Sequence, residues 1–293
     1  MITKLKLDQE QKYQILKPVT EKLTKYNYFS KLSTLQMNCC FKANEKDLYK
    51  TYAQLTRALH DEGLESSQII LAYDFSASNQ DTGLKSYNYC MHDINTLKET
   101  PYQKVTKMME FLIKEFDEDG KIPCYVFGDV DTKDIKVKPL QLNTQDEYIT
   151  GMDNIINAYK TACKHLTLDG PTTMGPVIRK AIQLCQESKQ YHILIIMTDG
   201  GISSPELDAQ AVIDASNYPL SIITVGLGDG PFDVLEKFDN KLKKRKFDNF
   251  NFFNFTEMEK KLGHTENVDE AIAVEMLQEI PAQYADIVKL GYL

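Results

Sequence analysis

A chain of 293 residues with 42% hydrophobic content can fill a core without disulfide staples. Its 42 acidic residues outnumber 34 basic ones, for a net charge of −8, which argues against a nucleic-acid binder: that role needs a basic face to displace counterions from phosphates. Six cysteines without metal-ligand spacing, an N-terminus "MITKLKLDQEQK" without a signal-peptide core, and no apolar run of ~18 residues set the expectation of a reduced, cytoplasmic protein without a direct membrane span.

Residues 1–44 are expected to form an N-terminal helical extension; "KYQILKPVTEKLTKYNYF" is amphipathic but broken at Pro18. In "EKDLYKTYAQLTRALHDEG", Leu48, Tyr52, Leu55 and Leu59 recur at helical intervals and Gly63 marks the stop. From Ser67 the elements alternate. "QIILAY" is a buried strand, "PYQKVTKMMEFLIKEFDEDG" a helix opening on Pro101, "KIPCYVFGD" a strand and "DIKVKPL" a short edge strand. "DEYITGMDNIINAYKTAC" and "MGPVIRKAIQLCQES" read as helices, and "YHILIIMTDGG" as a strand. Next come the helix "SPELDAQAVIDASN", with Ser204 as its cap and Pro205 at its first position, and the strand "PLSIITVGLGDG". The helix "PFDVLEKFDNKL", a solvated basic loop "KLKKRK", the strand "FNFFNF" and a closing helix "VDEAIAVEMLQEI" complete the chain. This alternation predicts an α/β fold: a doubly wound, mainly parallel sheet with helices on both faces, whose ligands sit beyond the carboxyl ends of the strands.

Asp74 and Asp199 each directly follow an apolar strand, so both belong at that rim, where two carboxylates repel unless a cation lies between them. In "IILAYDFSASNQDTG", Asp74, Ser76 and Ser78 alternate and can turn their oxygens to one point; "LDGPTTMGP" offers Thr172 just before a helix. Two carboxylates and three hydroxyls are hard donors suited to magnesium, and the imidazole and thiolate ligands that favour zinc or copper are absent from the set. Asp129, after its own strand, is a candidate outer partner. His60, His92, His165, His192 and His264 lack partners at ligand spacing and read as surface or packing residues. "GLGDG" lacks the full dinucleotide fingerprint and reads as a tight strand-to-helix turn. With no base near Ser76 or Ser78 in sequence and no G-x-S-x-G, no enzyme is expected.

These residues carry a resemblance. D-x-S-x-S after a strand, a later loop threonine and a later strand-end T-D-G resemble the metal-ion-dependent adhesion site of von Willebrand factor A domains. "GLESSQIILAYDFSASNQDTG", "GPTTMGPVI", "QYHILIIMTDG", "ASNYPLSIITVGLGDGPFD" and "FDNFNFFNFTEM" are similar to the copine-type A domain of copines and of plant ubiquitin ligases of the RGLG type, from about Glu45 onward. The resemblance implies Asp74, Ser76, Ser78, Thr172 and Asp199 as ligands of magnesium, manganese or calcium. Thr172 is taken rather than Thr173 because it falls on the family's G-P-T. The lipid-binding modules of copines and the RING of the ligases are not expected here, so neither membrane docking nor ubiquitin transfer is implied. The expectation is a two-part chain, residues 1–44 preceding a copine-type A domain over residues 45–293. It would act as a non-catalytic protein-interaction module that binds an acidic side chain of a partner. The alternative is a structural subunit of a larger, cytoskeletal assembly in which the metal site is incidental.

Overall fold

In the computed structural model, which describes residues 48–96, 98–117 and 119–293, the long apolar strands of the core pair with one another in parallel. The extension expected over residues 1–44 lies outside the described residues. Helix α1 (Tyr52–Asp61) is capped by the Thr51 side chain and ends where Leu64 N reaches back to Leu59 O at 2.9 Å, burying both leucines. There follow β1 (Gln68–Asp74), α2 (Pro101–Met108), α3 (Glu110–Phe116), β2 (Lys121–Phe127), β3 (Lys138–Pro139), β4 (Tyr148–Thr150), α4 (Met152–His165) and α5 (Gly175–Ser188). The second half adds β5 (His192–Thr198), α6 (Pro205–Ala215), β6 (Leu220–Gly226), α7 (Asp233–Lys241), β7 (Phe250–Asn254), α8 (Phe255–Leu262), α9 (Val268–Met276) and α10 (Ile280–Lys289).

The strand order is β3-β2-β1-β5-β6-β7, with β4 also pairing β2. From β2 to β7 the pairing is parallel, whereas β3 and β4 run antiparallel along the outer edge of β2, separated by residues 140–147. Helices cover both faces, as the alternation predicted. On one side Leu71, Tyr73, Ile193 and Ile195 pack with Val105, Tyr159 and Ile272; on the other Ile70, Ala72, Leu194 and Ile196 meet Ile178, Val212 and Leu235.

Four local expectations change. Tyr148–Thr150 is a strand rather than the start of a helix: Ile149 is buried between exposed Tyr148 and Thr150, a period of two rather than 3.6. The helix expected over residues 101–120 bends at Met109 into α2 and α3. Helices α8 and α10 went unread. In the basic loop, Arg245 is not solvated; it donates to the Leu242 and Asp239 carbonyls and pairs with Asp248.

Candidate metal centre

Parallel register brings the strand ends level. Tyr73 pairs with Met197, so Asp74, the last residue of β1, stands beside Thr198, the last of β5. Asp74 is fully buried; its Oδ2 accepts from Thr198 Oγ1 at 2.6 Å and its Oδ1 from Ser76 N at 2.9 Å. Asp199, equally buried, accepts from Gly201 N at 2.9 Å on Oδ1 and from Thr82 Oγ1 at 3.0 Å on Oδ2. Burial first, and then the negative charge of Asp199, push the Asp74 carboxyl up to about 7.

The hydroxyls arrive from two segments. Ser76 Oγ and Ser78 Oγ lie 3.1 Å apart. The loop carrying Thr172 is stitched to the rim: Ala77 N donates to Asp169 O at 2.6 Å, while Thr172 N donates to Ser203 Oγ and Ser203 N to Thr172 O, both at 2.9 Å. Thr172 Oγ1 is buried and has no hydrogen-bond partner among the described residues. Thr173 turns the other way and donates to Asp208, which also accepts from Met174 N at 3.1 Å and Gly175 N at 2.7 Å, capping α5.

Two glycines measure the convergence. A Cβ on Gly128, whose φ is +80°, would stand 2.6 Å from Thr172 Oγ1 and 2.9 Å from Asp74 Oδ1. One on Gly201 would stand 3.1 Å from Ser78 Oγ and 3.2 Å from Asp199 Oδ1. Asp74 and Thr172 thus come together at one glycine, and Ser78 and Asp199 at the other, with Ser76 Oγ bonded to Ser78 Oγ; Ser76, Ser78, Thr172 and Ser203 share the wall of a cleft of about 420 Å³. Among the described residues no three His, Cys, Asp or Glu side chains cluster; this centre has two carboxylates, and its remaining oxygens are hydroxyls. The set fits a hard divalent cation: hard oxygens only, one of them orphaned, at backbone positions too tight for a side chain.

Sequence reasoning missed the residues that hold the five. The Asp74 carbonyl accepts from His92 Nε2 at 2.8 Å, Tyr102 Oη at 3.1 Å and Asn79 Nδ2 at 3.3 Å. The His92 ring lies between Phe75 and Tyr102, with centroids at 4.2 and 4.4 Å. "GLGDG" is a tight turn, as expected, and it also fastens the segment bearing Thr82, through Asp229 N to Thr82 O at 2.6 Å. Thr198 had a signal, as the T of T-D-G; the others had none. Asp129 is a correction: its carboxylate is taken by Thr132 and Lys138 and bonds none of the five.

A doubly wound parallel sheet with D-x-S-x-S and T-D-G meeting at its carboxyl rim is a domain of the von Willebrand factor A class. Within that class the chain belongs to the copine family, whose model, Copine, matches residues 90–293. It is 38% identical to E3 ubiquitin-protein ligase RGLG5 of Arabidopsis thaliana, over 84% of this chain and 60% of that protein. With E3 ubiquitin-protein ligase RGLG3 of the same plant it shares 36%, over 87% and 74%. Copine family protein 1 of Caenorhabditis elegans is 38% identical over 82% of this chain and 22% of its own length, so the chain spans only part of the curated relatives it matches. Similar solved structures include a von Willebrand factor type A protein from Catenulispora acidiphila, at 15% identity and TM-score 0.43, over 72% of this chain and 43% of that one. Another is the manganese-loaded TRAP protein of Plasmodium vivax, at 16% and 0.43, over 68% and 72%. No helix among the described residues is long and apolar enough to cross a membrane.

Proposed function

We propose that residues 45–293 form a non-catalytic protein-interaction module, in which Asp74, Ser76, Ser78, Thr172 and Asp199 hold a divalent cation, magnesium in the first instance, that receives an acidic side chain of a partner. The observation that carries this reading is the Thr172 hydroxyl, buried without a partner among the described residues and facing the same glycine as Asp74 Oδ1. A bound cation supplies a Lewis-acidic position for a carboxylate oxygen. The protein does the rest. Asp74 and Asp199 match the charge of a divalent ion, and the three neutral hydroxyls add no further negative charge, so an incoming carboxylate meets no excess negative charge at the ion. Thr198, Thr82 and the Ser76 and Gly201 amides fix how the two carboxylates are turned. The adjoining cleft admits the partner's side chain. Among the described residues Ser76 Oγ bonds Ser78 Oγ and Asn79 Nδ2, neither of them the base a nucleophile needs.

Manganese, a paramagnetic substitute for magnesium, tests this directly. Spin-resonance titration should show one bound ion per chain, with magnesium competing. Asp74→Ala and Asp199→Ala should abolish the signal while circular dichroism stays that of the parent. Equal binding by either variant, or none by the parent, would remove the reading.

A further inference from the structure

The hydrogen bonds behind Asp74 have a defined direction. A carbonyl only accepts, so His92 Nε2, 2.8 Å from Asp74 O, carries the proton. In the neutral ring Nδ1 then accepts, and the Tyr159 hydroxyl donates to it at 2.9 Å. The Tyr159 oxygen is left to accept from Thr100 Oγ1 at 3.1 Å, and Thr100 Oγ1 accepts from Gln103 N at 3.2 Å as the N-cap of α2. Cys163 Sγ, at 3.9 Å from Nδ1, is too distant to compete with Tyr159. The Tyr102 hydroxyl has one proton to share between Asn79 Oδ1 at 2.8 Å and Asp74 O at 3.1 Å. Every participant is buried.

We infer that His92 is the positioning residue of this centre: oriented by Tyr159 and Thr100 and clamped between Phe75 and Tyr102, it fixes the Asp74 peptide so that the carboxylate is presented to the rim. The start of α2 and the strand end of β1 are thereby tied through one ring. Sequence distance hides this, because Asp74, His92, Thr100 and Tyr159 come from four separate segments.

His92→Phe keeps a ring in the stack but has no donor; His92→Gln keeps a donor. Two readouts separate the possibilities. The first is amide exchange of Ser76 in metal-free protein, followed by NMR, because Ser76 N is held by Asp74 Oδ1. The second is manganese affinity by spin resonance; only this arm rests on the metal reading above. His92→Phe should speed Ser76 exchange about tenfold and weaken manganese binding about tenfold. His92→Gln should restore most of both, and Tyr159→Phe, which frees the ring without touching Asp74, should fall between. If His92→Phe does not fold, the Tyr159→Phe comparison decides alone, with unchanged exchange and affinity counting against the inference. Faster exchange in a parent background that binds no manganese upholds the positioning role and removes the metal reading. Manganese bound equally by parent and His92→Phe, with equal exchange, removes the positioning role and leaves the metal reading intact.

Discussion

Asp74 is asked to be an anion in a place that favours a neutral acid. With its folded pKa at about 7 and about 3.9 when unfolded, its sign is that of a raised group. Its contribution to stability is whole below pH 4 and is lost as pH rises through 7, unless a cation is bound. His92 has the opposite sign. Burial, only partly offset by the bond to the Asp74 carbonyl, lowers it to about 4, against about 6.5 unfolded. Protons therefore favour the unfolded chain, and about 3 kcal/mol is lost as pH falls from 6.5 to 4. In metal-free protein the two slopes oppose each other over one interval. Asp74→Asn removes one of them: urea midpoints should then climb from pH 4 to 6.5 more steeply than the parent's. At pH 7.5 the variant should be the more stable of the two, yet gain nothing from added magnesium. Gly128→Ala should act in the reverse sense. A methyl set 2.6 Å from Thr172 Oγ1, on a residue with φ of +80°, should cost about 1–3 kcal/mol in urea unfolding and reduce manganese affinity as well.

Elements place the hydroxyl that no single residue could place. Thr172 sits one residue before Thr173, and which of them faces the rim is settled by Asp208, reaching from α6 to cap α5. Asp208→Ala should lower stability by about 2 kcal/mol, because three donors lose their acceptor together. The same variant should weaken manganese binding, although Asp208 touches none of the five residues. The core strands were legible because β1, β5 and β6 are apolar runs of strand length. Strand β4 was not, since three residues give one alternation and the helix that follows swallowed it. That the five candidate residues gather around the carboxyl rim was legible from their local spacing together with the family resemblance. Thr82, His92 and Tyr102 were not: their bonds to Asp199 and Asp74 span 117, 18 and 28 positions and exist only once register and helix docking have set them side by side.

At the scale of the molecule, charge acts at a distance. A net −8 concentrates cations around the chain. Manganese affinity should therefore weaken about threefold between 20 and 200 mM sodium chloride, as screening shortens the reach of that field; an affinity indifferent to salt would mean that the local carboxylates alone decide it. The outer side of β2 bears on association in another way. It is closed by two scraps of antiparallel backbone, Lys138–Pro139 and Tyr148–Thr150, with eight residues looping out between them. So broken a border, carrying a proline, gives a neighbouring polypeptide no long ribbon of amides to zip onto. Two copies brought together along that flank can stand close without fusing into a common sheet.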